Sequence, residues 1–193
     1  HRKGLLFLLK QFRVDQFWTG EAIDRLHPSL QQVLYEQSIP VRRFPEGWNT
    51  VEVWQTGEMQ VYSCPDKRNK NDSSLVLYLH KAADGLLLTG DLEAKGVDRL
   101  LSTGVPGPVT VLKLPHHGSK HSHTKRLIRQ LNPDIGLVSA GYRNRYRFPA
   151  KSLVHFMATE MIPLYRTDTM GTIRVTKIGG KRVVESWQKG LFR

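Results

Sequence analysis

Short apolar segments that each stop at a polar loop constrain the fold of this chain most strongly. Three of them follow one another at residues 86–88, 109–114 and 135–139, and segments with helical spacing lie between them. Strands that alternate with helices predict crossover units, in which neighbouring strands run parallel. The chain shows no internal repeat and no long linker, so we expect residues 1–193 to form a single α/β domain.

The remaining patterns predict further helices and strands. Periodicity indicates helices at 21–37 with a break near His27, 93–102, 122–131 and 150–159. Residues 4–12 are apolar on nearly all faces, which favours a buried helix, although their period alone also allows a strand. Apolar runs and alternation indicate strands at 16–19, 50–54, 59–62, 74–79, 162–165, 172–177 and 182–186. Turn residues join two pairs of these strands into hairpins, at Gly57 and at Gly179.

Polar residues with ligand chemistry stand where two of the strands end. Gly90 and Asp91 follow one strand, and Pro115, His116 and His117 follow the next. Because ligand sites gather at the carboxyl ends of strands in an α/β sheet, we expect the two loop tips to be neighbours. Singly, Asp91 is explained by a helix start and the two histidines by a surface position. Together, a carboxylate and an imidazole favour a zinc or manganese site.

The positive charge is concentrated around the loop that holds His116 and His117. The net charge is +12, and residues 113–151 hold nine basic residues against one acid, Asp134. Such a balance favours a polyanionic partner, either nucleic acid or an anionic membrane face. Within loop 141–147, three arginines alternate with two tyrosines, which suits phosphate contacts and base stacking. The alternative is a solvated, charged loop.

Five motifs occur in a fixed order along the chain. They are Asn71-Asp72-Ser73-Ser74-Leu75-Val76-Leu77, Leu88-Thr89-Gly90-Asp91, Leu112-Lys113-Leu114-Pro115-His116-His117-Gly118-Ser119, Ser139-Ala140-Gly141 with Asn144, Tyr146 and Pro149, and Tyr165-Arg166-Thr167-Asp168 with Gly171. As an ordered set, they resemble the metallo-β-lactamase-like domain of the ComEC family of bacterial DNA-uptake proteins. The resemblance implies a four-layer αββα sandwich. It also implies an N-terminally truncated copy, because most of the first metal signature of the family would lie upstream of His1.

The resemblance also implies roles for individual residues. A divalent metal, manganese or zinc, would be held by His1, Asp91 and His116, and the catalytic residues would be Asp91, His116 and His117. Phe148 stands where the family usually has a histidine, and since phenylalanine cannot ligate a metal, this chain is expected to hold one metal or none. The expected DNA- and phosphate-binding residues are Lys113, Ser119, Lys120, Arg143, Asn144, Arg145 and Arg147.

Three functions follow from the resemblance. The first is a metal-dependent phosphodiesterase, a nuclease that degrades the non-transported DNA strand in natural competence. The second is a catalytically degenerate module that binds and guides single-stranded DNA, and the third is a small-molecule hydrolase of the same fold. The expected partners are DNA, single-stranded, and a membrane channel domain of the same polypeptide, with no small-molecule cofactor. The expected location is the bacterial plasma membrane.

Overall fold

A computed structural model describes residues 2–51, 57–66 and 68–187 of the chain. Its helices are α1 (Arg2–Gln11), α2 (Pro28–Glu36), α3 (Ala94–Thr103), α4 (Thr124–Leu131), α5 (Lys151–Thr159) and α6 (Thr167–Met170), with 3-10 turns at Ile23–Arg25 and Pro115–Gly118. Its strands are β1 (Phe17–Thr19), β2 (Val41–Arg43), β3 (Gly47–Val51), β4 (Glu58–Ser63), β5 (Val76–Lys81), β6 (Asp84–Leu88), β7 (Val111–Lys113), β8 (Ile135–Val138), β9 (Leu164–Arg166), β10 (Thr172–Ile178) and β11 (Lys181–Trp187).

A seven-stranded mixed sheet forms the centre of the fold. The strand order follows the chain from β3 to β9. Strands β3 to β6 pair antiparallel, and β6 to β9 pair parallel. Strands β1 and β2 form a separate parallel pair, and β10 and β11 form a hairpin. The predicted α/β class and the crossover units after β6 are confirmed, while the four-layer sandwich stays a prediction.

The main hydrophobic core lies between this sheet and the three crossover helices. Helices α3, α4 and α5 each join two consecutive parallel strands, and all three contribute side chains to the same core cluster. Leu100, Leu127 and Met157, one from each helix, are almost fully buried. Because strand side chains alternate between faces, Tyr62 of β4 enters this core while its neighbour Val61 packs with Phe44 on the other face.

A smaller core cluster joins α1 to α2. Leu9 of α1 packs with Leu30, Val33, Leu34 and Ile39. The predicted break near His27 is confirmed: a 3-10 turn ends before it, and Nδ1 of His27 accepts a hydrogen bond from the backbone N–H of Ser29 at the start of α2. No helix in the described ranges is long and apolar enough to cross a membrane.

Two elements escaped the sequence prediction. Strand β2 has only three residues, two of them arginines, and its pairing with β1 is a tertiary contact without a local pattern. Helix α6 is a single turn between two predicted strands, where no element was predicted. The predicted hairpin around Gly57 is confirmed by the pairing of Val51 with Met59, but residues 52–56, including part of its first predicted strand, lie outside the described residues.

Candidate functional site

The two loop tips that follow β6 and β7 lie side by side, as predicted. The carbonyl of Gly90 accepts hydrogen bonds from the backbone N–H of His116, at 3.2 Å, and from Nζ of Lys113, at 2.7 Å. The hydroxyl of Thr89 donates to the carbonyl of Lys113 at 2.7 Å. Burial lowers the pKa of Lys113, and the nearby Asp91 opposes that shift. The two loops are therefore held together by hydrogen bonds to their backbone carbonyls, one of them from the largely buried ammonium group of Lys113.

The 3-10 turn Pro115–Gly118, called the histidine turn below, has an unusual backbone. His116 and His117 both have positive φ angles, 45° and 54°, in the left-handed region where residues with a side chain are rare. Gly118 follows with a φ of 78°, and a Cβ added there would lie 2.6 Å from Cβ of Pro149. The turn is thus packed tightly against loop 141–149. Its two imidazoles lie near different carboxylates.

The imidazole of His117 lies beside the carboxylate of Asp91. Nε2 of His117 is 3.5 Å from Oδ1 of Asp91, and Nδ1 of His117 is 2.6 Å from the carbonyl of Ser139. A carbonyl can only accept a hydrogen bond, so Nδ1 carries a proton. Nε2, on the other side of the ring, faces the Asp91 carboxylate.

His116 forms a second pair, with a residue that the sequence did not single out. Its Nδ1 is buried without a hydrogen bond among the described residues and lies 3.4 Å from Oε1 of Glu93. Glu93 accepts hydrogen bonds from the side-chain amides of Asn71 and Asn69, at 2.8 and 2.9 Å. The Asn71 bond contributes most to holding the pKa of Glu93 below its usual value, followed by Asn69. Asn71 is the first residue of one of the five sequence motifs, whereas the sequence predicted Glu93 only as the first residue of a helix.

The described residues fit a divalent metal in ligand type but not in number. A histidine that ligates zinc commonly donates its other ring N–H to a backbone carbonyl, as His117 does toward Ser139. Structural and catalytic zinc sites take three or four protein ligands. Within the described residues, however, no three histidine, cysteine or carboxylate side chains come together as a metal cluster. His1, an expected ligand, lies outside the described residues.

Phe148 joins the histidine turn to loop 141–149, which holds three arginines and is called the basic loop below. Its ring lies 5.6 Å from that of His116 and 6.2 Å from that of His117, measured between ring centres. Tyr146 stacks on Phe148 at 5.5 Å, and the guanidinium of Arg145 lies 4.7 Å from the Tyr146 ring. These side chains form a continuous stack from the exposed loop to His117 and Asp91.

Loop 141–149 borders an open groove of about 810 Å³. Five cations line it against one carboxylate, Asp168, which pairs with Arg166. Of the expected phosphate-binding residues, Arg143, Asn144, Arg145 and Arg147 line this groove. Asn144 also organises the loop, since its side chain bonds to the backbone of Phe148 in both directions.

The other expected phosphate-binding residues lie elsewhere. Ser119 and Lys120 line a second open groove, of about 800 Å³, between α4 and α5. Ser119 is 2% exposed, and its hydroxyl accepts from the backbone N–H of His121. Lys113 lines neither groove and is bound to Gly90. The residues predicted as one set are thus divided between two grooves and the loop tips.

The chain is similar to segments of three longer bacterial proteins. It is 33% identical over 147 residues to ComE operon protein 3 of Bacillus subtilis, which is 74% of this chain and 18% of the relative. It is 32% identical over 124 residues to Recombination protein 2 of Haemophilus influenzae and 30% identical over 124 residues to Competence protein ComA of Neisseria gonorrhoeae, in each case 63% of this chain.

The similarity covers only a small part of each relative. The chain spans 16% of Recombination protein 2 and 18% of Competence protein ComA. No protein-family model matches the chain. The metallo-β-lactamase-like domain therefore stays a prediction, whereas the predicted likeness to proteins of the competence type is confirmed: the chain is homologous to less than a fifth of each of these longer proteins.

Proposed function

We propose that this chain is the DNA-binding domain of a bacterial DNA-uptake protein and that a single DNA strand lies in the groove beside loop 141–149. The observation that carries the proposal is the pairing state of the cations in that groove. Arg143, Arg145, Arg147 and Lys151 have no carboxylate partner within the described part of the chain. Unpaired cations on one groove would gain most from phosphate groups, because each contact releases a condensed counterion.

The aromatic side chains of the loop favour a single strand over a duplex. Tyr142 and Tyr146 are 59% and 61% exposed, and each has an arginine guanidinium over its ring. Unpaired bases stack on such rings and guanidinium planes, whereas the bases of a duplex are already stacked on one another. Phosphates on the arginines and bases on the tyrosines would together hold a strand across the loop.

The relatives support the biological setting. One of them is named a competence protein, and all of them are much longer than this chain. We propose that this domain serves DNA uptake as part of a larger protein that also holds a membrane channel at the bacterial plasma membrane. A metallo-β-lactamase-like sandwich is compatible with the mixed sheet and the single layer of crossover helices.

Salt-dependent binding tests the proposal. Fluorescence anisotropy with a labelled thymidine oligonucleotide gives the slope of log affinity against log salt, which is expected to fall by about 0.7 for each lost single-strand phosphate contact. The variant Arg143→Ala, Arg145→Ala, Arg147→Ala should therefore lower the slope by about 2. The matched control removes three cations that line neither groove, by Lys10→Ala, Arg25→Ala and Lys181→Ala. Equal slopes for the two triple variants would show that only net charge matters and would refute the site.

A second candidate is metal-dependent phosphodiester hydrolysis. The observation that favours it is the convergence of Nε2 of His117 and Oδ1 of Asp91 beside the basic loop. These two residues would hold the metal together with ligands from outside the described set. A bound divalent metal supplies Lewis acidity toward a phosphoryl oxygen. The chain's own cations would position the strand so that a phosphate reaches the pair.

Metal binding can be measured separately from cleavage. Calorimetry with manganese should show binding that Asp91→Asn and His117→Gln abolish. His80→Gln is the control, since His80 forms another histidine–carboxylate pair, with Glu58 at 3.0 Å, in a different part of the sheet. The candidate fails if all three variants bind manganese as the unmodified protein does, or if none of the four proteins binds it.

A further inference from the structure

The second groove is built around the first turns of two helices. His123, Thr124, Lys125 and Arg126 at the start of α4 line it, and Ser152 and Leu153 at the start of α5 line its other side. Neither helix has a side-chain cap: the residue before α4 is His123 and the residue before α5 is Ala150. The first N–H groups of a helix lack partners within the helix and carry partial positive charge. Two such ends facing one groove favour an anion between them.

A buried hydroxyl in the same place lacks a partner. Thr124 is 4% exposed, lines the groove, and its Oγ1 makes no hydrogen bond among the described residues. The neighbouring Ser122, fully buried, has an unpartnered Oγ as well. Buried hydroxyls are almost always hydrogen-bonded in native proteins. An oxygen-rich ligand at the start of α4 would accept the bond that Thr124 does not make within the chain.

Carboxylates neutralise part of the positive charge around the groove. Arg126 pairs with Asp98 at 2.8 Å and Arg129 pairs with Glu160 at 3.0 Å, so both are partly neutralised. Within the described ranges, Lys120 and Lys125 have no carboxylate partner. The cations of this groove that have no carboxylate partner are therefore those just before and at the start of α4.

We propose that this groove is a second phosphate-binding site, which takes a backbone phosphate of the nucleic acid strand bound in the first groove. The proposal rests on the proposed function. The two grooves meet at the first turn of α5, where Lys151 lines the first and Ser152 lines the second. A strand that crosses the start of α5 reaches both. A lipid surface is disfavoured because the apolar lining is limited to Leu153, which is 2% exposed.

Inorganic phosphate alone provides the first test. Phosphate should raise the melting temperature more than chloride at equal ionic strength, and the variant Lys120→Ala, Lys125→Ala should lose that difference. Lys10→Ala with Lys181→Ala is the matched control and should retain it. Thr124→Val should also lose the difference without lowering the melting temperature in chloride, because it removes a buried hydroxyl that has no partner there. Equal phosphate effects in all four proteins would overturn the site.

Oligonucleotide binding provides the second test and separates this proposal from the previous one. Lys120→Ala, Lys125→Ala should reduce the salt slope by about 0.7, the value for one single-strand phosphate. An unchanged slope, with a reduced slope for the arginine variants of loop 141–149, would refute the second site and leave the first intact. Reduced binding to anionic phospholipid vesicles with unchanged DNA binding would also overturn it, in favour of a membrane contact.

Discussion

Gly118→Ala should destabilise the protein by forcing the histidine turn away from loop 141–149. Gly118 has a φ of 78°, and an added Cβ would lie 2.6 Å from Cβ of Pro149 and 3.3 Å from Cδ2 of Leu153. Real Cβ contacts do not come that close, so the backbone must move. The Leu153 side chain can rotate away, but Pro149 is a rigid ring in the basic loop. The substitution therefore drives the histidine turn and loop 141–149 apart.

The expected cost has two parts. The left-handed backbone costs about 1–2 kcal/mol for a residue with a side chain. Overpacking against a rigid neighbour costs about 1–3 kcal/mol more. The sum, about 2–5 kcal/mol, is a large share of the 5–15 kcal/mol by which domains are typically stable.

Comparison with Gly180→Ala isolates the cost of overpacking against Pro149. Gly180 has nearly the same φ, 80°, and an added Cβ there meets nothing within 4 Å. Urea denaturation followed by tryptophan fluorescence should show a loss for Gly118→Ala that exceeds the loss for Gly180→Ala by about 1–3 kcal/mol. Equal losses would mean that the turn does not press on Pro149, and the coupling between the two loops would be refuted.

Two further predictions concern the basic loop and the closing hairpin. If one base stacks on Tyr146, Tyr146→Ala should weaken binding of a single-stranded oligonucleotide by about 1–3 kcal/mol. The control Tyr35→Ala removes a ring that is 87% exposed on α2 and should not change that binding. Equal affinities of the two variants in anisotropy titrations would exclude stacking on Tyr146. Hydrogen bonds from Lys177 and then Arg182 hold the pKa of Asp84 below its usual value, so their stabilising effect is present above about pH 4 and lost as pH falls through the lowered pKa. Arg182→Ala should therefore flatten the acid dependence of the melting temperature and speed hydrogen exchange in β10 and β11; unchanged exchange would show that the hairpin is held otherwise.

The order of the main elements could be read from the sequence because local patterns determine it. Apolar runs of strand length and helical periodicity after residue 85 predicted three crossover units, and each appears near its predicted bounds. Strand β2 could not be predicted, since its three residues gain their structure only from pairing with β1. The separation of the fold into a main core and a small cluster around α1 and α2 likewise depends on contacts between distant segments.

The site was predictable in position but not in orientation. That Asp91 and the histidine turn are neighbours follows from parallel strands ending at one edge. Which histidine faces which carboxylate depends on two left-handed residues in succession, and no sequence signal reports such a backbone. The pairing of His116 with Glu93 depends in addition on Asn69 and Asn71, which come from a loop more than 20 residues earlier in the chain.

Phe148 lies between the proposed DNA-binding loop and the histidine turn. The Phe148 ring packs beside the rings of both histidines and stacks with Tyr146. A side chain that cannot ligate a metal therefore supplies one of the contacts between the basic loop and the histidine turn. The backbone of that loop is held by two hydrogen bonds between the Asn144 side chain and the backbone of Phe148. The described residues therefore supply the cations of the proposed polyanion site, whereas the proposed metal site also needs ligands from outside them.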